Sequence, residues 1–328
     1  MSKLAKITRR AFTGTLAAAA IGGRFARADG PDKVKVGMFP ISSSLPFYVA
    51  LDLGYYKDLN IEPEVTRLMG SPPNVAALIT NQIDAAAVLV TLEGLNANVK
   101  KPGSAMFVAM HSQNAKYKME QFVAGAKSGI KTLADFKGKK LLCSPGPANV
   151  ATAKGVLAKV GLKDGDFTID QLDQGQHVNA IKAGTFDGGY TLEPSATIIE
   201  RIGAGYTVEA GVIAKYILGD VDANAYAAGC ACTSEFIKTR PDVARRFAAG
   251  WAKAIEFIKA DPAAARKHLA KNTLTPDDLV DVVPMLGYTM IKDMTAKQKD
   301  ELQRFADFGT QIGIVPEKVD VSKYLIAL

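Results

Sequence analysis

The chain has 328 residues, 40 Lys and Arg against 33 Asp and Glu, and three Cys. Six of the basic residues (3, 6, 9, 10, 24 and 27) fall in the first 28 positions, and removing them leaves 34 basic residues against 33 acidic ones. That balance gives no reason to expect nucleic acid or an anionic membrane surface as a partner. Three cysteines also exclude a disulfide framework.

The N-terminus reads as an export signal over 1–28. Lys3, Lys6, Arg9 and Arg10 precede the apolar run "AFTGTLAAAAIGG" (11–23), and Ala26-Arg27-Ala28 fits a cleavage site. The 13-residue run is shorter than the ~20 residues of a membrane span. Thr8-Arg9-Arg10-Ala11-Phe12 resembles a twin-arginine signal, although Thr13 and Gly14 stand where Leu and Lys are usual. No Cys follows the run to take a lipid anchor. The expected product is free in the periplasm.

From Val34 the pattern is strand, turn, helix, repeated. "VKVGMF" (34–39) is a β-rich run, and Phe47, Ala50, Leu51 and Gly54 then share a helical face, with Pro46 in a first turn. "IEPEVTRL" (61–68) alternates; "PPNVAALITNQ" (72–82) is helical, with Val75, Leu78 and Ile79 expected inward; "IDAAAVLV" (83–90) and "AMFVAMH" (105–111) are buried strands. This order predicts a mostly parallel sheet covered on both faces. "NVAALITNQIDAAAVLV" (74–90) is echoed by "HVNAIKAGTFDGGYTLE" (177–193) at an offset of 103, which pairs Asp84 with Asp187. Two lobes, each opening with the same β-α-β-α-β unit, follow from that echo.

"AYAAGCACTSEF" (225–236) is read as a strand returning to the first lobe. The helix at 240–262 carries Val243, Phe247, Trp251, Ile255 and Ile258 on its core side, and helices bounded by Pro276, Pro284 and Pro316 are expected to pack on that lobe. Cys230-Ala231-Cys232 is too close for an unstrained bridge. Cys143 pairing with either remains open, beside the reading of three buried small side chains.

In open α/β sheets small molecules bind beyond the carboxyl ends of the strands, and clefts between domains are favoured sites. The candidate residues are therefore strand tips. Ser42, Ser43 and Ser44, with Leu45, follow the first strand as a helix start, where backbone N–H groups and hydroxyls can hold an anion or merely cap the helix. Gly70, Ser71, Val90 and Thr91 end the next two strands. Ser144, Gly146, Gln176, His177, Tyr190 and Glu193 are the counterparts in the second lobe, and His111 ends the fourth strand. Glu93 and Glu193 are awkward for an anion; Glu193 has the alternative of capping the helix after Pro194.

These runs resemble a family. "VGMFPISSSLPFYVALDLGYYKDLNIEPEV", "NVAALITNQIDAAAV", "IKTLADFKGKKLLCSPG" and "AIKAGTFDGGYTLEP" look like the periplasmic substrate-binding proteins for nitrate, sulfonates, taurine and thiamine-pyrimidine precursors that serve ABC importers. The resemblance spans nearly the whole mature chain and is not specific to a ligand. It implies an α/β, periplasmic-binding-protein type II-like fold of two lobes hinged by two crossovers, with 33–124 plus 227–328 as one lobe, 125–226 as the other, and hinges near 124 and 226. It further implies a monomer without cofactor or metal that delivers a small organic anion to an inner-membrane permease and its ATPase. Unlike some sulfonate and nitrate binders, the loops expected at the cleft contain no Arg or Lys. No catalytic motif is present. Two other readings stay open: an enzyme on the same scaffold, with His111 or His177 in acid–base work, and a metal carrier using Cys230 and Cys232.

Overall fold

The computed structural model describes residues 30–273 and 275–328, so the export signal expected over 1–28 lies outside the described residues. β1 (Asp32–Met38) leads through a single 3-10 turn at Ser42–Ser44 into α1 (Leu45–Asp52) and the short α2 (Tyr55–Asp58). β2 (Ile61–Arg67), α3 (Ser71–Ile79), β3 (Ala85–Val90), α4 (Thr91–Lys100) and β4 (Met106–Gln113) follow. The middle of the chain runs β5 (Glu120–Gly125), β6 (Lys140–Cys143), α5 (Pro147–Lys159), β7 (Thr168–Gln171), α6 (His177–Lys182), β8 (Gly188–Leu192), α7 (Ser195–Arg201) and β9 (Gly205–Ala210). Then come β10 (Ala225–Cys232), α8 (Ser234–Thr239), α9 (Pro241–Ala260), α10 (Pro262–Asn272), β11 (Gly287–Met290) and α11 (Ala296–Gln311).

The strands form two sheets, in the orders β11-β4-β10-β3-β1-β2 and β7-β6-β8-β5-β9. β1, β2 and β3 are mutually parallel, as are β6, β7 and β8. β5 is antiparallel to both neighbours, and so are β10 and β4 where they meet. The sheets are mixed rather than mostly parallel because β5 and β10 enter directly from the other lobe. With no covering helix to reverse them, nothing forces them parallel. The chain leaves the first sheet after Gln113 and joins the second at Glu120. Residue 124, where a crossover was expected, therefore lies inside β5. The return runs from 211 to 224, just ahead of the expected 226.

The internal echo has a physical basis. Asp84 Oδ2 accepts the Lys35 backbone N–H at 2.9 Å while its own N–H donates to the Lys35 carbonyl. Asp187 does the same with Lys140, at 2.8 Å each way. In both lobes one aspartate pins the start of the third strand of the unit to the first strand, at the middle of β1 and at the first residue of β6.

On α9, Val243, Phe247, Trp251, Ile255 and Ile258 are all buried, as the periodicity requires. The inward face of α3 is Asn74, Ala77 and Leu78; Val75 and Ile79 are only partly covered. Cys143 sits in the second sheet, Cys230 and Cys232 in the first, and all three are free and buried. The expected packing of the C-terminal helices on the first lobe is incomplete as a description. α11 also reaches the second lobe, because a Cβ at Gly155 of α5 would lie 2.6 Å from the Phe308 ring.

Candidate functional site

A narrow, nearly closed cavity of about 30 Å³ lies where the strand tips of the two lobes converge. Its walls are mainly apolar: Phe39, Ile41, Val88, Val90, Met119, Leu192 and Leu286. The polar members are Ser43, Ser71, His111, Gln113, Glu120 and Asn149. Both lobes contribute, and contacts at its edge draw them together. The Ser42 hydroxyl and backbone N–H donate to the Glu193 carbonyl, at 3.2 and 3.4 Å. The Ala148 N–H at the start of α5 donates to Glu93 Oε1 on α4, at 3.4 Å.

His111, on β4, is the polar centre of the first-lobe wall. Its Nδ1 meets the Ser43 hydroxyl at 2.9 Å, and its ring stacks on Trp251 with centroids 5.7 Å apart while Tyr288 meets it edge-on at 5.3 Å. Trp251, read from the sequence as core only, is therefore also the backing of this histidine. Nε2 is buried without a partner. Burial holds the imidazole pKa at about 3, so the ring is neutral across physiological pH.

Several expected ligand donors are turned to structural use. The Ser44 hydroxyl donates to the Phe39 carbonyl at 2.6 Å and makes no helix-cap bond; Leu45 opens α1 fully buried. The Thr91 hydroxyl donates to the Tyr226 carbonyl at 2.7 Å, tying α4 to β10. Ser144 donates to Gln174 at 2.5 Å. Gln176 is exposed, and Gln174 is the buried glutamine of this turn, donating to Ser195 at 2.7 Å and to the Leu192 carbonyl at 3.2 Å.

His177 has both ring nitrogens engaged, Nε2 on the Leu172 carbonyl at 2.9 Å and Nδ1 on the Thr191 hydroxyl at 2.7 Å. A carbonyl can only accept, so Nε2 carries the proton and Nδ1 accepts from Thr191. Burial lowers its pKa to about 4. It is a clamp between β8 and α6.

Gly70 and Ser71 stand at the lobe junction. A Cβ on Gly70 would lie 3.7 Å from Pro145 Cβ across the gap, and Ser71 lines the cavity with its hydroxyl toward the Glu93 carboxyl. Gly146 has φ 121°, and a Cβ there would meet Glu93 Oε1 at 2.5 Å. Only glycine serves there, for conformation and for space.

Three carboxyls lie at the junction, Glu93 from the first lobe and Glu120 and Glu193 from the second. Glu193 accepts from Gln121 and from the Thr197 N–H at 3.2 Å, so it does cap α7, and burial raises its pKa to about 7. Glu93 is raised by burial as well. Glu120 lines the cavity, accepts the Tyr190 hydroxyl, and is likewise raised by burial. Tyr190 thus stands behind Glu120 rather than in the lining. Gln113, which follows His111 at the end of β4, was read with it as a residue of the cleft floor and does line the cavity, whereas Glu120 and Asn149 escaped the sequence reading. A lone acid opening the apolar run "EQFVAG" (120–125) was a usable signal; Leu286, from a distant segment, had none.

The NMT1/THI5-like family model matches residues 42–265. The chain belongs to that family. Among curated protein sequences nothing matches. Solved structures share its fold, that of the periplasmic binding proteins. The alkanesulfonate-binding protein SsuA from Xanthomonas axonopodis pv. citri, bound to MOPS, superposes with TM-score 0.73 at 19% identity, over 92% of this chain and all of that one. The nitrate-binding protein NrtA from Synechocystis PCC 6803 gives 0.66 at 14%, covering 88% and 84%. The desulfurization enzyme DSZB gives 0.66 at 15%, covering 90% and 96%. The fold therefore serves both capture and catalysis, and the site of this NMT1/THI5-like chain has to be read from its own residues. Cys230 and Cys232 lie in the sheet core with their thiol pKa values pushed up by burial. No group of three metal-binding side chains occurs among the described residues, and no helix among them is long and apolar enough to cross a membrane.

Proposed function

We propose that this protein is the substrate-binding component of an ABC importer. It captures a small organic solute between its lobes and presents the closed form to an inner-membrane permease and its ATPase. It works as a periplasmic monomer, exported by the twin-arginine-like segment 1–28. The lobes, 31–113 with 225–328 and 120–210, would open and close about the two connections at 114–119 and 211–224.

The observation that supports this reading most is a cavity walled by strand tips of both sheets and edged by contacts between the lobes. A solute held there is reached only when those contacts part, which is what a carrier needs. The enzymatic alternative has lost one of its two histidines, since His177 has no free nitrogen. A small organic anion, the solute expected from the sequence, would have to be held by neutral groups alone.

Thermal unfolding of the exported chain with sulfonates, carboxylates, amides and pyrimidines tests the proposal. The expected result is a rise in Tm of several degrees with at least one solute, which is recovered unchanged. Conversion of the solute to product would favour the enzyme instead.

A further inference from the structure

Most of the groups at the cleft suited to hold an anion already have an acceptor from the protein itself. The N-terminus of α5, a 13-residue helix aimed at the cleft, carries the Glu93 carboxylate on Ala148 N–H, and the Gly146 N–H donates to Gln171 Oε1 at 2.7 Å. Glu193 fills the first turn of α7 through Thr197 and, by its carbonyl, takes both donors of Ser42. Ser44 donates to Phe39, Thr91 to Tyr226 and Ser144 to Gln174. A helix start already occupied by a carboxylate is not available to a second anion.

The lining has no positive charge to replace them. No Lys or Arg is among its residues, and His111 is neutral above about pH 3. Its one ionisable acid, Glu120, is neutral or negative, never cationic. An anion moved into this largely apolar space would lose its hydration without a compensating charge. Two buried groups of the wall have no hydrogen-bond partner, His111 Nε2 and the Ser71 hydroxyl, and neither carries a positive charge. Glu120 faces the cavity from the other lobe, where Tyr190 satisfies one of its oxygens.

We infer that the solute is uncharged, a compact molecule with an apolar body whose hydrogen-bonding edge is read by His111 from one lobe and Glu120 from the other. This rests on the capture reading above and specifies its substrate class. Depending on its tautomer, His111 donates to or accepts from that edge, while Glu120 accepts an N–H or O–H from it. Because the two groups belong to different lobes, one solute bridging them would also hold the lobes together.

The test uses matched pairs that differ in charge: benzamide with benzoate and methanesulfonamide with methanesulfonate. Each is titrated calorimetrically into the full exported chain, alongside native mass spectrometry of protein purified from cells that produce it. The expected result is binding of the amide member at least tenfold tighter than its anion, or an uncharged solute retained through purification. Glu120→Gln should weaken the amide without conferring binding of the anion. Tighter binding of the anionic members, or a retained sulfonate or carboxylate, would overturn the inference and leave the capture reading intact. No retained solute together with no binding by any member would overturn both.

Discussion

Glu193 shows how one residue couples burial to pH. Its carboxyl titrates in solution near 4.5 and in the folded chain at about 7, because burial disfavours the charged form. The folded state therefore holds a proton that the unfolded state releases between those values. The stability that Glu193 contributes is complete below pH 4.5 and is lost as pH rises through 7, an effect of about 3 kcal/mol for a shift of this size. Denaturant unfolding at pH 5 and pH 8 should show that loss in the wild-type chain and much less of it in Glu193→Gln. His111 and His177 act in the opposite sense. They stay neutral in the fold and must be protonated on unfolding as pH falls below 6.5, so they remove stability on the acid side. Gly146 is constrained differently. Gly146→Ala would force a side chain into φ 121° against Glu93, and it should cost about 1–3 kcal/mol in the same assay.

At the scale of elements, the paired aspartates are the clearest product of the sequence. Asp84 and Asp187 occupy matching places in the echo, and each ties the third strand of its unit to the first within its own sheet. Asp84→Ala and Asp187→Ala should each destabilise by ~1–2 kcal/mol, since each leaves a backbone N–H unpaired. The pair shares no partner, so the double variant should lose the sum to within about 0.5 kcal/mol.

The strand-helix order, the second copy and the α9 stripe were all legible, because periodicity and spacing report local burial directly. Strand direction was not: β5 and β10 read like any other strands, and only the passage between lobes makes them antiparallel. The site was half legible. Its places at the strand tips follow from topology, and Ser43, Ser71, Val90 and His111 do line the cavity. What each hydroxyl does there depends on which carbonyl the fold brings beside it. Ser44 and Thr91 have side chains as suitable as Ser43, yet carbonyls of Phe39 and Tyr226 claim them. That choice is made by atoms far apart in sequence.

For the whole molecule, the contact between Gly70 and Pro145 offers a direct handle on closure. The 3.7 Å Cβ separation there matches the spacing of about 3.8 Å in a disulfide. A Gly70→Cys, Pro145→Cys double variant should therefore cross-link across the cleft mouth when oxidised. Release of bound solute should slow sharply on oxidation and recover on reduction, measured by competition with a second solute. The positive φ of Gly70 will lower the stability of the reduced variant, but it leaves the comparison between its two redox forms intact. A chain that exchanges solute equally fast in both forms would show that the lobes do not gate access.

Phe308 sets a condition on any such movement. Its ring rests on α5 at Gly155, nine residues and roughly 13 Å along the helix axis from the glycine at the cleft. The absence of a side chain at Gly155 is what lets an aromatic from the far end of the chain lie flush against the helix. Parting the front of the molecule must either lift this ring into water or swing α5 around it. The second course keeps the apolar seat dry, so the tail of the chain becomes an axle, and a bulkier residue at 155 would jam it.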